Sequence, residues 1–152
     1  MTAVEADAHR QICYIDTSAL IKRYLPEPGS DAFDDFCDLP SLDRIICALG
    51  GTEFTGVLQR RVRNSEITAR QASAVRERFL SDLYSGGWRM VQIGPDIFSK
   101  ASELMIHLAA PLATLDALHL ACALQHDAAA LATADRQLAT AARKAKLQVH
   151  PF

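Results

Sequence analysis

Ile12-Cys13-Tyr14-Ile15-Asp16-Thr17-Ser18-Ala19-Leu20-Ile21-Lys22-Arg23-Tyr24 is the stretch on which the reading of the fold turns. Its first four residues are β-branched, aromatic or small and apolar, which predicts a buried strand. Asp16 ends that run and is a natural N-cap, so Thr17 to Tyr24 is predicted as a helix. A strand passing through an acid directly into a helix is the start of a βα unit.

The same alternation continues along the chain. Pro26, Pro28 and Gly29 break the first helix,. Ser30 to Cys37 places Phe33 and Phe36 on one face, with Asp31, Asp34, Asp35 and Asp38 as a solvated surround,. Arg44 to Ala48 is the second strand, Gly50-Gly51 reads as a break, and Thr52 to Arg63 is helical. Thr68-Ala69-Arg70-Gln71 is a capping-box pattern that opens a helix to about Tyr84,. Trp88 to Ile93 is the third strand, and Pro95 opens a helix to about Leu108. Thr114 is expected to cap a helix from Leu115 to about His126. Ala129 to Ala132 is an Ala-rich fourth strand, and Thr133 is expected to cap a helix from Ala134 to Lys144. Leu147 to Val149 closes the pattern. Alternating strands and helices predict a parallel sheet covered on both faces, with ligands at the carboxyl ends of its strands.

Composition limits the rest. The 152 residues suit one domain, since domains usually run to roughly 100–150 residues,. A 49% hydrophobic and 22% charged make-up excludes long disorder as the main state,. Residues 1–11 are expected to be a flexible tail and residues 12–152 a single domain. Cys13, Cys37, Cys47 and Cys122 form no C-x-x-C pair and sit in apolar contexts, as reduced core residues of a cytoplasmic protein do,. The weakly charged run Leu104 to His126 contains Asp116, Pro111, His107 and His119, and reads as core, not as a membrane span,. Sixteen Lys and Arg against 18 Asp and Glu give a net charge of −2, which alone argues against a nucleic-acid partner,.

Four acids stand out by position. Asp16 follows strand one, Glu53 follows strand two, Asp135 follows strand four, and Asp116 lies early in the helix feeding that strand. Each on its own reads equally as a helix cap or as a first-turn acid facing the macrodipole. Together on one sheet edge they would repel one another, and a proton or cation must offset them. Mg²⁺ or Mn²⁺ suits such oxygen donors, and phosphodiester hydrolysis suits such a centre. Thr17, Ser18 and Thr133 are neighbouring hydroxyls that can orient water. His119, one turn after Asp116, has two readings: a proton shuttle or metal ligand, and a half-buried histidine bonded to backbone.

The basic residues Arg60, Arg61, Arg63, Arg70, Arg76, Arg78, Arg143, Lys144 and Lys146 complement helix C-termini, or form a track for backbone phosphates. Two other functional classes compete with hydrolysis of a phosphodiester. One is a phosphatase acting through an aspartyl-phosphate, although its usual second Asp is replaced by Ser18. The other is a non-catalytic α/β interaction domain whose acids are only caps.

Tyr14-Ile15-Asp16-Thr17-Ser18-Ala19-Leu20-Ile21-Lys22-Arg23-Tyr24 resembles the opening of PIN-domain ribonucleases of the VapC-type toxin group. Thr114-Leu115-Asp116-Ala117-Leu118-His119-Leu120-Ala121 resembles their second signature, and Leu131-Ala132-Thr133-Ala134-Asp135-Arg136-Gln137-Leu138 their third. The resemblance implies an α/β/α sandwich with a parallel sheet of four or five strands. It implies an Mg²⁺- or Mn²⁺-dependent endoribonuclease, a homodimer held inactive by a VapB-type antitoxin. It carries the catalytic and metal-binding roles onto Asp16, Asp116, Asp135 and Glu53. Two departures are Ala113, where relatives often have Arg, and the glycine-rich stretch before Glu53. The resemblance also suggests a groove for an antitoxin helix over Ile21, Tyr24, Leu25, Phe33 and Phe36. Without the four site acids, 14 of the 18 acids remain against 16 basic residues, so the net charge no longer opposes an RNA substrate.

Overall fold

The computed structural model describes residues 10–152. The chain runs β1 (Gln11–Ile15), α1 (Thr17–Leu20) with a 3₁₀ turn (Ile21–Arg23), α2 (Ser30–Cys37), β2 (Leu42–Cys47), α3 (Ala48–Arg63) and α4 (Ala69–Tyr84). It continues through β3 (Arg89–Val91), α5 (Pro95–His107), α6 (Thr114–Gln125), β4 (Ala130–Thr133), α7 (Arg136–Lys144) and β5 (Gln148–Pro151). The tail expected over residues 1–11 lies outside the described residues up to residue 9. Gln11 does not belong to a tail: it opens β1 and pairs with Leu42.

The five strands form one parallel sheet in the order β3-β2-β1-β4-β5. The chain starts at the centre, builds outward through β2 and β3, then returns to the other side of β1. β1 and β4 are therefore neighbours at the point where the winding reverses, and their carboxyl ends form the crevice expected of such sheets. Tyr14 of β1 lies opposite Ile45 of β2 and Leu131 of β4.

Strand residues alternate between two cores. Cys13, Ile15, Ile46, Ala130 and Ala132 face one core, with Leu20, Phe33, Phe54, Leu58 and Phe79 from α1 to α4. Tyr14, Ile45, Cys47 and Leu131 face the other, with Ile97, Ala101, Leu120 and Leu138 from α5 to α7. The result is the three-layer α/β/α sandwich. Ala-rich β4 is weak by propensity, but Ala130, Leu131 and Ala132 are wholly buried between β1 and β5. Packing outweighs propensity at such a position. All four cysteines are free and buried. Among the described residues, no helix is long and apolar enough to cross a membrane.

Four local expectations need correction. Gly50-Gly51 is not a break, because α3 begins at Ala48 and runs through both glycines. A Cβ at Gly50 would stand 3.4 Å from Thr17 Oγ1, and one at Gly51 would stand 3.4 Å from Met90 Cε. Small residues let the start of α3 press against α1 and β3, which offsets their poor helix propensity. Thr114 does not cap α6: the N-cap is Ala113, with no side-chain hydrogen bond. Thr133 ends β4, and Asp135 caps α7 by accepting from Leu138 N at 2.9 Å. The residues expected to line an antitoxin groove, Ile21, Tyr24, Leu25, Phe33 and Phe36, are all buried in the first core.

Gly56, by contrast, is exposed in mid-α3, and a Cβ there would meet nothing within 4 Å. Gly56→Ala should stabilise the protein by roughly 0.5–1 kcal/mol, raising Tm by about 2–4 °C per kcal/mol. Thermal denaturation measures this, and a lower Tm would show that the helix surface is not open there.

Candidate active site

Each site acid is brought to one cleft by a different element. Asp16 stands at the carboxyl end of β1, where its amide donates to Ala132 O of β4 at 3.0 Å. Glu53 lies in the second turn of α3, Asp116 in the first turn of α6, and Asp135 at the N-cap of α7. A cleft of about 390 Å³ is lined by Asp16, Glu53, Asp116 and Asp135 together, with Thr17, Ser18 and His119. Thr133 is buried beneath it and faces an adjoining hollow of about 440 Å³.

Hydroxyls fix Asp16. Ser18 Oγ donates to Asp16 Oδ2 at 2.5 Å, and Thr133 Oγ1 donates to the same oxygen at 2.9 Å. Each hydroxyl also accepts a backbone N–H at 2.9 Å, Ser18 from Ala134 and Thr133 from Asp135. The carboxyl ends of β1 and β4 are thereby stitched together around Asp16. Thr17 is committed elsewhere: its hydroxyl donates to Glu53 Oε2 at 2.7 Å. The three supporting residues expected from the sequence thus orient carboxylates directly.

Of the two readings of His119, the half-buried histidine bonded to backbone is not what the structure shows. It is wholly buried, and its partners are side chains, not backbone. Nε2 lies 2.5 Å from Glu53 Oε2 and 3.6 Å from Asp16 Oδ1. Nδ1 lies 2.6 Å from the Tyr14 hydroxyl and 3.8 Å from Cys47 Sγ. Two periodicities carry this signal in the sequence. Tyr14 and Asp16 share a strand face, and Asp116 and His119 are one helical turn apart.

The charges respond to this crowding. Burial raises the Asp116 carboxyl, and the carboxylates of Asp135, Asp16 and Glu53 add to it, taking it from 3.8 to about 6. Burial also opposes charge on Glu53, but the hydrogen bond and charge of His119, with the Thr17 hydroxyl, hold it below the usual range. Burial disfavours a charged His119, yet its hydrogen bonds with Cys47 and Glu53 and the nearby Asp16 carboxylate raise it to about 10. One imidazolium does not balance four carboxylates. Donor atoms from Asp16, Glu53 and His119 lie within 4.8 Å of one another, and Asp116 and Asp135 line the same cleft outside that group. Carboxylate oxygens and an uncompensated negative field are what a hard divalent cation requires.

The cleft is also flanked by cations. Arg60 and Arg61 line its outer wall, where Arg61 pairs with Glu27, which in turn lies 3.5 Å from Lys22 Nζ. The adjoining hollow carries Arg136 and Arg143 of α7 and shares Ala134 and Asp135 with the cleft.

In the metal-free protein, folding holds a proton on Asp116 between about pH 4 and 6 that the unfolded chain has released. Stability from this group is therefore present below pH 4 and lost as pH rises through about 6,. Asp116→Asn removes that loss. In EDTA at pH 7 it should be more stable than wild type by about 1–2 kcal/mol, allowing for solvent screening. The gap should close toward pH 4. Urea denaturation at the two pH values measures it, and a less stable variant at pH 7 would show that its neighbours do not crowd Asp116.

No curated protein matches the chain in sequence. Among solved structures it is similar to VapC20 of Mycobacterium tuberculosis, described as a sarcin-ricin loop cleaving toxin. That pair has TM-score 0.67 at 16% identity, over 85% of this chain and 94% of the other. It is similar to FitAcB of Neisseria gonorrhoeae, with TM-score 0.64 at 17% identity over 90% and 95%. VapBC2 of Rickettsia felis, bound to a DNA fragment from its promoter, gives 0.68 at 14% over 93% and 98%. At these identities the likeness is one of fold. The sequence profile of the PIN domain matches residues 13–144, from β1 through α7. The chain belongs to the PIN domain family.

Proposed function

We propose that this protein is an endoribonuclease that depends on Mg²⁺ or Mn²⁺ and acts as the toxin of a toxin–antitoxin pair. The observation that carries the reading is the convergence of Asp16, Glu53, Asp116 and Asp135 on one cleft at the reversal point of a PIN-family sheet. These four acids would hold the cation. Bound there, such an ion supplies Lewis acidity and lowers the pKa of water, as phosphodiester hydrolysis requires.

The chain's own residues do the rest. Ser18 and Thr133 hold one oxygen of Asp16, leaving Oδ1 toward His119 and the cleft. Thr17 holds Glu53. Asp135 spends Oδ1 on the Leu138 amide, so its orientation is set by the start of α7. Pre-set carboxylates need no rearrangement when charge develops, the condition for effective electrostatic stabilisation. An RNA strand would cross the cleft with its phosphates between Arg60 on one side and Arg136 and Arg143 on the other.

An antitoxin partner is supported by the FitAcB and VapBC2 neighbours. A homodimer and a cytoplasmic site of action complete the proposal. The aspartyl-phosphate alternative gains no support, since Ser18 supplies a hydroxyl bound to Asp16 where that chemistry uses a second acid. A purely capping role fits Asp16 and Asp135 but not Glu53, which sits beyond the first turn of its helix.

Purified protein should cleave RNA with Mg²⁺ or Mn²⁺ and stop in EDTA. Asp16→Asn should fold and lose about 10²-fold or more in rate, as loss of one charge-stabilising group in an active site does. Wild-type rates from that variant would remove Asp16 from the site. Arg136→Ala with Arg143→Ala should weaken RNA binding in EDTA. The dependence of log affinity on log salt should fall by about 0.7 for each phosphate that is no longer neutralised. An unchanged slope would place the strand elsewhere.

A further inference from the structure

Glu27 is a fifth carboxylate lining the cleft, and it stands apart from the site acids. It lies on the loop between the 3₁₀ turn and α2 and faces two cations at once. Its Oε1 pairs with the Arg61 guanidinium, and its Oε2 lies 3.5 Å from Lys22 Nζ. Lys22 is only 7% exposed, and its ammonium also donates to Pro28 O at 2.6 Å. The Glu27 backbone is fixed as well. Its amide donates to Ser30 Oγ at 3.0 Å, and its carbonyl accepts from Ser30 N at 3.0 Å. The loop is thus anchored without Arg61.

Arg61 is placed for more than this pair. Glu53, Val57, Arg60 and Arg61 recur at helical spacing along the face of α3 that lines the cleft,. The helical rise sets Arg61 about 12 Å along the axis from the site acid Glu53. Its side chain is 25% exposed. A guanidinium has more donors than one carboxylate oxygen can take.

Resting on the nuclease reading above, we infer that Arg61 binds a backbone phosphate of the RNA beside the acid centre, and that Glu27 is the anion it holds in the free protein and exchanges for that phosphate. The exchange leaves no charge alone. Glu27 keeps Lys22, and Arg61 trades a carboxylate for a phosphate, the two anions that suit a guanidinium best. A pair this near to solvent is weak enough to open. Until it opens, it holds the guanidinium on the cleft wall. Glu27 thereby sets the affinity of this wall for a polyanion.

The test uses the full chain in EDTA and a labelled, mixed-sequence single-stranded RNA, with binding read by fluorescence anisotropy. Arg61→Ala should weaken binding and lower the dependence of log affinity on log salt by about 0.7. Glu27→Gln, whose amide oxygen still accepts from Lys22, should tighten binding by about 2–5-fold, the range of a partly exposed ion pair. That gain should vanish in the Arg61→Ala background. Lys22→Met together with Glu27→Gln removes the buried charge and its partner at once, and should show the same gain if Glu27→Gln alone does not fold. An unchanged salt slope in Arg61→Ala overturns the inference. So does a Glu27 variant that binds no tighter, or one whose gain persists without Arg61, which reports only one negative charge fewer. Arg61-dependent binding of polyglutamate that is tighter than that of RNA assigns the wall to an acidic protein and overturns it too. Wild-type cleavage beside any of these failures leaves the nuclease reading intact, whereas a wild type that neither binds nor cleaves RNA removes both.

Discussion

Repulsion among carboxylates at the carboxyl edge of the sheet is the constraint on which the rest of this structure depends. Four acids drawn from β1, α3, α6 and α7 face one cleft. Each has a local device that limits the cost. Two hydroxyls hold Asp16 and a backbone amide holds Asp135. A hydroxyl and an imidazole hold Glu53. Asp116 has no hydrogen-bond donor of its own among the described residues, and it is the acid whose carboxyl is driven up. The unfavourable field is thus concentrated on one group, at the mouth of a site suited to a cation.

That arrangement shows why capping and site membership are not rival explanations here. Asp16 and Asp135 do cap helices. A cap uses one carboxylate oxygen and orients the other. Asp16 and Asp135 both line the cleft at the carboxyl edge of the sheet, and Oδ1 of Asp16 is left toward His119. A helix start that would be ordinary elsewhere becomes a rigid mount for a ligand oxygen.

Much of this is legible in the sequence, and the parts that are not share a physical cause. β1 and the capping box of α4 rest on local chemistry, and both lie where expected; Thr68 and Gln71 make both bonds of the box. The four acids also converge as their positions imply. Gly50-Gly51 reads as a break because its reason for being helical is not local: it lies in the approach of α3 to Thr17 and Met90. Thr114 and Thr133 carry the right residue type for caps, but the strand end and the helix start each fall one or two residues away. His119 reads as a histidine bonded to backbone because its partners, Tyr14, Cys47 and Glu53, come from three other elements. Phe33 and Phe36 look like an open face only because Phe152, 116 residues beyond Phe36, covers them with its ring centroid 5.1 and 5.2 Å away.

The charge balance illustrates the same separation of local from global. A net charge of −2 describes the far field, and the far field governs encounter and not chemistry. At the cleft the relevant quantities are four carboxylates, one imidazolium and the arginines of its two walls. Arg61 is spent on Glu27. Arg60, Arg136 and Arg143 have no acid partner among the described residues. A polyanion approaching such a surface meets a repulsive centre unless a divalent ion fills it, and an attractive rim in either case. If the proposed function holds, metal loading and RNA docking would therefore be coupled through this field. On the proposed function, a cation held there would remove the repulsion that otherwise keeps a phosphate away from the four carboxylates,.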